Sequence, residues 1–245
     1  MLKILAIAAH PDDIELSCSG TIIKHTNMGH EVAILDLTEG ELGTRGSVAL
    51  RYEEAAKAAK VMGVKVRLNA RMADGFFKND EEHQRKLVAY IRHFKPEIVI
   101  ANALSDRHPD HGKGGRLIAD ACFLSGLRKI ETEWEGQKQE AWRPKRVFHM
   151  IQDRVLEPTF IVDVSDVFEK KMESILCYSS QFVSGKSAND SEPQTYISSS
   201  NFMDAIVSRD TLMGKKIGVR YGEAFVCEST PGISDLDKLL LPEFP

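Results

Sequence analysis

Two short segments of the chain carry the residue types that metal-dependent chemistry needs. Residues 10–15 read HPDDIE and residues 106–111 read DRHPDH, so histidines and carboxylates are concentrated at two places. A catalytic zinc ion takes three protein ligands, such as two histidines and one carboxylate, and keeps a fourth position for water. A carboxylate left free beside the ion can remove a proton from that water. Together the segments predict a metal-dependent hydrolase.

Each segment supplies more candidate ligands than one ion requires. Asp12 and Asp13 are adjacent and point in different directions, so one can bind the metal while the other acts as base, and the spacing does not decide which. A structural alternative is that the aspartates of each segment cap the helix that follows. That alternative does not explain why both segments follow predicted strands, so we favour a metal site. The remaining histidines are expected to be structural: His25, His30, His83, His93 and His149.

The elements that must position these segments alternate between strand and helix. Apolar runs predict strands over residues 2–9, 31–38, 64–68 and 97–102, and helical periodicity predicts helices over residues 14–28, 47–62, 86–94 and 114–127. Ser47 is the expected N-cap of the second helix and Gly63 its stop. This order predicts an α/β fold, a Rossmann-like three-layer sandwich with a mostly parallel sheet. Ligands of such sheets bind beyond the carboxyl ends of the strands, where both segments fall.

The second half of the chain is expected to complete the same domain. Residues 128–145 are predicted to form an exposed excursion, after which strands are expected at 146–151, 160–164 and 223–228 and helices at 165–179 and 195–213. The polar stretch 184–194 is expected to be a mobile loop that either acts as a lid or is simply disordered. We predict a single domain spanning residues 1–245.

Composition excludes several classes of protein. The chain has 245 residues and a net charge of −4, which argues against a nucleic-acid binder. The apolar run at residues 4–9 is too short for a signal peptide or a membrane helix, so we expect a cytoplasmic protein without a membrane partner. There is no CxxC pair, and the cysteines are expected to be buried free thiols: Cys18, Cys122, Cys177 and Cys227.

The two segments resemble motifs of a known family. AHPDD at residues 9–13, directly after a strand, together with HPDH at residues 108–111, is similar to the LmbE-like, or PIG-L, zinc de-N-acetylases. The resemblance extends from about residue 2 to residue 227 and is strongest before residue 130. Three further motifs, TRGS (44–47), RYEE (51–54) and SDRHPDH (105–111), look most like the N-acetylglucosaminyl malate deacetylases of the bacillithiol pathway.

The resemblance implies roles for three histidines and three aspartates of the two segments. It implies that zinc is bound by His10, Asp13 and His111. It also implies that Asp12 is the general base, that His108 stabilises the oxyanion and protonates the departing amine, and that Asp110 orients His108. Since a carboxylate near an imidazole favours the charged ring, Asp110 is expected to raise the pKa of His108.

The resemblance also bears on substrate and assembly. It implies that Arg51 and Arg107 contact the sugar or the carboxylates of malate, which a guanidinium can bind in bidentate fashion. One departure is that residues 14–20 (IELSCSG) contain less glycine than is usual in the family, which leaves less room for a ligand near the backbone. We expect one Zn²⁺ per chain, with Fe²⁺ as an alternative in the same site, and a homo-oligomer, either trimer or hexamer.

The expected function is hydrolysis of the acetamide of an N-acetylglucosaminyl conjugate, with GlcNAc-malate as the favoured substrate. A de-N-acetylase of another N-acetyl sugar or of a chitooligosaccharide uses the same residues. A non-catalytic nucleotide- or sugar-binding module is a different class, but no GxGxxG follows the first strand. A non-haem iron enzyme would use the same two histidines and carboxylate. A metallophosphoesterase would require the further ligands of a second metal, which the sequence lacks.

Overall fold

The computed structural model describes residues 2–182 and 193–241. Its first half alternates strand and helix in this order: β1 (Ile4–Ala8), α1 (Asp13–Asn27), β2 (Val32–Thr38), α2 (Val48–Met62), β3 (Val66–Met72), α3 (Glu81–Phe94), β4 (Ile98–Ala101) and α4 (Pro109–Leu124). The second half contains β5 (Glu133–Trp134), β6 (Gln137–Lys138), β7 (Arg146–Met150), β8 (Phe160–Asp163), α5 (Phe168–Leu176), α6 (Ser200–Lys216) and β9 (Gly222–Val226).

Seven of these strands form one sheet in the order β3-β2-β1-β4-β7-β9-β8. The strands from β3 to β7 are parallel to their neighbours, whereas β9 pairs antiparallel with both β7 and β8. The predicted α/β sandwich with a mostly parallel sheet is therefore confirmed. Strands β5 and β6 form a separate hairpin inside the predicted excursion. A single domain over residues 1–245 stays a prediction.

The core lies on both faces of the sheet, because β1 is fully buried and its side chains alternate. Ile4 and Ala6 belong to a cluster that includes residues of α1, α2 and α5. Leu5 and Ile7 belong to a second cluster that includes residues of α3 and α4. Helices thus cover both faces, as continuous apolar strands require.

Helix α4 begins five residues earlier than the sequence predicts. Its first residue is Pro109 and His108 occupies the N-cap position, so most of the HPDH motif belongs to the first helical turn. Proline is favoured at that first position. The prediction was wrong because the glycines at 112, 114 and 115 resemble a loop. They serve close packing instead, since a Cβ at Gly115 would lie 2.7 Å from the carbonyl oxygen of Asn102.

Other local predictions were mixed in outcome. Ser47 caps α2 by accepting a hydrogen bond from the amide of Leu50, and Gly63 ends it with φ of 74°, both as predicted. Helix α3 starts earlier than expected, and α6 starts at Ser200 rather than at residue 195. The residues 184–192 of the expected loop lie outside the described part of the chain. Among the described residues, no helix combines the length and apolarity that crossing a membrane requires.

The cysteines agree only in part with the prediction. All four are free, and Cys18 and Cys122 are buried as expected. Cys177 and Cys227 are partly exposed, which corrects the prediction of four buried thiols. The reason is that each follows the end of an element, α5 and β9 respectively, where the chain leaves the core.

Candidate active site

The two predicted segments meet at one edge of the sheet. Strands β1 and β4 are parallel neighbours, so their carboxyl ends place residues 10–13 beside residues 106–111. They border a pocket of about 410 Å³. Its lining includes seven of the predicted site residues: His10, Asp12, Asp13, Arg51, Arg107, His108 and His111. This volume is in the range of small-molecule sites.

Asp12 lies on a strained turn between β1 and α1. Its φ of 117° and ψ of −24° fall in a region that residues other than glycine rarely adopt, at a typical cost of about 1–3 kcal/mol. Although Asp12 occupies the N-cap position, its side chain makes no capping hydrogen bond. Its Oδ2 instead accepts a hydrogen bond from Arg51 Nη1 at 3.1 Å. The turn therefore directs this carboxylate toward the pocket and not toward the helix.

His111 is held between two carboxylates. Its Nδ1 lies 2.5 Å from Asp106 Oδ2, and its Nε2 lies 3.0 Å from Asp13 Oδ1. A metal-binding histidine commonly has one ring nitrogen fixed by a carboxylate while the other faces the ion. His111 has this arrangement, with Nε2 as the atom available to a metal beside Asp13.

His10 is held in a similar way by different carboxylates. Its Nε2 lies 3.1 Å from Asp74 Oδ1 and 3.3 Å from Asp110 Oδ2. Its Nδ1 lies 3.6 Å from Asp13 Oδ2. The ring therefore turns Nδ1 toward Asp13 and anchors Nε2 away from it.

The contact between Asp110 and His108 is not the expected one, in which the carboxylate of Asp110 orients His108. Asp110 contacts His108 through its backbone amide, which donates to His108 Nδ1 at 3.3 Å. The carboxylate of Asp110 accepts from Lys113 Nζ at 2.8 Å and from the amide of Gly75 at 2.8 Å, in addition to its contact with His10. The cause is the early start of α4, which makes His108 the N-cap and turns the Asp110 side chain toward His10.

The pKa values of the predicted base and acid follow from burial and neighbouring charges. Burial raises the pKa of Asp12 to about 7, although Arg51 opposes the shift. Burial, together with repulsion from His10 and His111, lowers the pKa of His108. Asp110 favours the protonated form of His108 but does not outweigh these effects. The expected rise in the pKa of His108 is therefore corrected to a fall.

The pKa values of the predicted ligands Asp13 and His111 are shifted by the charges of their neighbours. Burial disfavours ionisation of Asp13, but His111 and His10 outweigh it and hold the pKa of Asp13 well below its usual range. Burial likewise opposes protonation of His111, but Asp13 and Asp106 raise the pKa of this histidine to about 9. The Asp13 carboxylate is therefore ionised, which is the form that can bind a cation.

The donor atoms also fit a single metal ion. The ring nitrogens of His10, His108 and His111 include a set that lies within 4.8 Å of one another. Asp13 Oδ1 lies 3.0 Å from His111 Nε2, so a carboxylate oxygen lies beside these ring nitrogens. Imidazole and carboxylate donors suit Zn²⁺ and Fe²⁺ alike. The assignment of His10, Asp13 and His111 as the ligands stays a prediction, with His108 close enough to be considered beside them.

The two arginines expected to bind substrate differ in environment. Arg51 is buried, and its Nη1 also donates to the carbonyl of Pro11 at 2.9 Å, so it braces the Asp12 turn. Arg107 lies at the rim of the pocket with a side chain that is 46% exposed. Its Nε donates to Asp153 Oδ2 at 3.1 Å, and its guanidinium lies 4.3 Å from the ring centre of Tyr196. The Tyr196 hydroxyl donates to Asp153 Oδ1 at 2.9 Å.

Several residues of the site were not identified from the sequence. They are Asp74, Asp106, Asn102 and Gln152. Asn102 ends the strand predicted over residues 97–102, so a search for polar residues at strand ends would have found it. Asp74 lies two residues beyond β3 but six residues beyond the strand predicted over 64–68. Gln152 follows β7, whose proximity to β1 depends on the strand order. The glycine-poor stretch 14–20 contributes Ser17 to the pocket lining.

The fold and the site define an α/β enzyme with a histidine and carboxylate centre. The sequence pattern of the PIG-L family, described as GlcNAc-PI de-N-acetylase, matches residues 5–122. Diacetylchitobiose deacetylase from Thermococcus kodakarensis is 30% identical over 190 residues, which cover 74% of this chain and 70% of that relative. The chain belongs to the PIG-L family.

Other proteins similar to this chain include a hydratase as well as a probable deacetylase. A 4-oxalmesaconate hydratase from Pseudomonas putida is 26% identical, over 72% of this chain and 73% of its own length. A probable N-acetyl-α-D-glucosaminyl L-malate deacetylase from Bacillus anthracis is 25% identical, over 73% of this chain and 81% of its own. The crystal structure of the conserved protein TT1542 from Thermus thermophilus superposes with a TM-score of 0.85 and 32% identity, covering 96% of this chain and 99% of that one.

Proposed function

We propose that the protein is a zinc-dependent de-N-acetylase of N-acetylglucosaminyl conjugates, and that GlcNAc-malate is its substrate. The observation that carries the proposal is the side-by-side placement of Asp12 and Asp13. One is a buried carboxylate with a pKa of about 7, suited to accept a proton near neutral pH. The other is an ionised carboxylate directed at a cluster of histidines.

Three functions in amide hydrolysis are assigned to residues of this chain: metal binding, removal of a proton from water, and protonation of the amine. His10, Asp13 and His111 would hold the zinc, which when bound acidifies water and polarises a carbonyl. Asp12 accepts the proton of the attacking water. His108 Nδ1 accepts a hydrogen bond from the Asp110 amide, so the proton of the neutral ring resides on Nε2. That nitrogen can donate a hydrogen bond to the oxyanion. The departing amine leaves poorly until it is protonated, and its protonation needs the charged ring of His108, which loses one proton and returns to the neutral form.

The pocket rim supports an anionic conjugate as substrate. Arg107 is fixed by Asp153 and by the Tyr196 ring, while its side chain stays partly open to solvent. A guanidinium held flat in this way can bind a carboxylate of malate in bidentate fashion. The motifs 44–47, 51–54 and 105–111 and the malate deacetylase from B. anthracis point to the same conjugate. The diacetylchitobiose deacetylase points to a neutral sugar as the alternative.

The proposed setting of the enzyme includes its metal content, assembly and location. We expect one zinc per chain, a trimer or hexamer, and a cytoplasmic enzyme that needs neither nucleic acid nor membrane. Zinc analysis and light scattering of the purified protein measure the first two. An iron enzyme would be recognised by activity that returns with Fe²⁺, and not with Zn²⁺, under anaerobic conditions.

Amine release from matched substrates tests the proposed function. The zinc-loaded protein is assayed with GlcNAc-malate, N-acetylglucosamine and diacetylchitobiose, each beside a sample treated with chelator. Fast, chelator-sensitive release from GlcNAc-malate supports the proposal. Release from diacetylchitobiose alone would keep the reaction and overturn the substrate. Hydration of 4-oxalmesaconate without any amine release would overturn the reaction itself.

A further inference from the structure

We propose that Asn102 and Gln152 form an amide clamp that positions Asp13 for the metal. Asn102 Nδ2 donates to Asp13 Oδ2 at 3.1 Å, and Gln152 Nε2 donates to Asp13 Oδ1 at 3.1 Å. Each oxygen of the carboxylate therefore has its own amide donor. The inference depends on the proposed metal site but not on amide hydrolysis.

The orientation of both amides is fixed by their acceptor atoms. Asn102 Oδ1 accepts from the backbone amide of Ala9 at 2.8 Å. Gln152 Oε1 accepts from the backbone amide of Ala103 at 3.1 Å and from Asn102 Nδ2 at 2.9 Å. If either side chain flipped, an amide nitrogen would face a backbone N–H donor. Both NH₂ groups are therefore obliged to point at Asp13.

The backbone that carries the clamp is also held in place. His149 Nδ1 contacts the carbonyl of Asn102 at 2.8 Å, and Arg209 Nη1 donates to the carbonyl of Gln152 at 3.0 Å. Asn102 follows β4 and Gln152 follows β7, which are parallel neighbours in the sheet. The clamp is thus anchored to the sheet at the same edge as the predicted ligands.

Burial makes this arrangement effective. Asp13, Asn102 and Gln152 are only 3%, 0% and 4% exposed, so water does not compete for the carboxylate. Both donors are neutral, and they therefore restrict the rotation of the carboxylate without cancelling its charge. An arginine in their place would compete with the metal as a cation. Partners that orient a metal ligand typically contribute about 10–100-fold to metal affinity.

Gln152→Met tests the clamp because methionine has similar volume and no amide. Gln139→Met is the matched control, since Gln139 Nε2 likewise donates one hydrogen bond, to the carbonyl of Ala89, in another part of the molecule. Zinc dissociation constants are measured on the metal-free proteins by competition with a chromogenic chelator. We expect roughly 10–100-fold weaker binding in Gln152→Met and no change in Gln139→Met.

A second readout separates positioning from general stability. Co²⁺ replaces zinc, and its visible spectrum reports the geometry of the ligands. We expect an altered spectrum in Gln152→Met and the parent spectrum in Gln139→Met. Should Gln152→Met fail to fold, Gln152→Asn keeps an amide but withdraws it from Asp13, and it should also weaken zinc binding.

Three results would overturn the clamp. They are parental zinc affinity in folded Gln152→Met, equal weakening in both methionine variants, and a parent protein that binds no zinc. The failure of the proposed function is distinguishable, because weakened zinc binding in Gln152→Met without amine release from any sugar would leave the clamp intact and refute only the reaction.

Discussion

The tripeptide His-Pro-Asp occurs twice in the site, and its two copies have different environments. In the first copy, α1 begins only after the tripeptide, so Asp12 sits on the strained turn and faces Arg51. In the second copy, α4 begins at the proline, so Asp110 lies inside the first turn and faces His10. The same residue types thus become a candidate base in one loop and a support for a ligand in the other.

The difference teaches that the start of the helix, more than the motif, sets the role of each side chain. The histidines differ in the same way. His10 is anchored by two carboxylates, whereas His108 is the N-cap of α4 and only half-buried. A comparison of variants at equivalent positions of the two copies therefore tests the account directly.

The largest expected effect belongs to the aspartate of the first copy. Asp12→Asn removes the proton acceptor but keeps its size, so turnover should fall about 10²–10⁴-fold while zinc content stays at the parental value. In the parent, kcat/KM should rise with pH through about 7, because only the ionised carboxylate accepts a proton. Zinc analysis and a pH profile check both points. Loss of zinc in Asp12→Asn would make Asp12 a ligand.

The histidine of the second copy should show the next largest effect. His108→Ala removes the proposed proton donor to the leaving amine, so turnover should fall about 10²-fold with little loss of zinc. Turnover and metal content are measured on the same preparation. Equal loss of metal would identify His108 as a ligand, which its distance from His10 and His111 would permit.

The aspartate of the second copy should have a smaller and different effect. Asp110→Asn weakens the anchoring of His10 Nε2, so zinc affinity should fall roughly 10-fold. Turnover with saturating zinc should recover most of the parental value. If turnover of zinc-saturated Asp110→Asn fell as far as that of Asp12→Asn, the two aspartates would have the same role. The proposed difference between the two copies would then be wrong.

The smallest expected effect lies at the pocket rim, outside both copies. Tyr196→Phe removes the hydroxyl that donates to Asp153 and so loosens the support of Arg107. KM for GlcNAc-malate should rise about 3- to 10-fold, as the loss of one hydrogen bond suggests. KM for an uncharged N-acetylglucosaminide should not change. An equal rise for both substrates would show that the rim does not recognise charge.

The features that depend on local sequence pattern could be predicted from the sequence alone. The alternation of strands and helices, the cap at Ser47 and the stop at Gly63 follow from residues close together in the chain. The convergence of His10 and His111 followed from both segments being placed after strands of one parallel sheet. Predicting these features requires only the periodicity of each element and the rule that ligands bind beyond the carboxyl ends of parallel strands.

Features that depend on contacts between distant residues could not be predicted. Gln152 reaches Asp13 only because β7 lies beside β4 and β4 beside β1. The direction of the Asp110 side chain depends on where α4 begins, and the glycines after it concealed that start. The fall in the pKa of His108 results from burial, from His10 in the other segment and from His111 in its own, so residues 106–111 alone do not determine it.

The most direct test of the central claim is a zinc titration followed by acetate release. Metal-free protein receives increasing zinc, and acetate released from GlcNAc-malate is measured at each step, with Asp12→Asn as the matched control. We predict that the rate rises linearly and levels off at one zinc per chain, while the control binds zinc and releases acetate about 10²–10⁴-fold more slowly. Acetate release without zinc, or a zinc-saturated parent that releases none, would contradict the account.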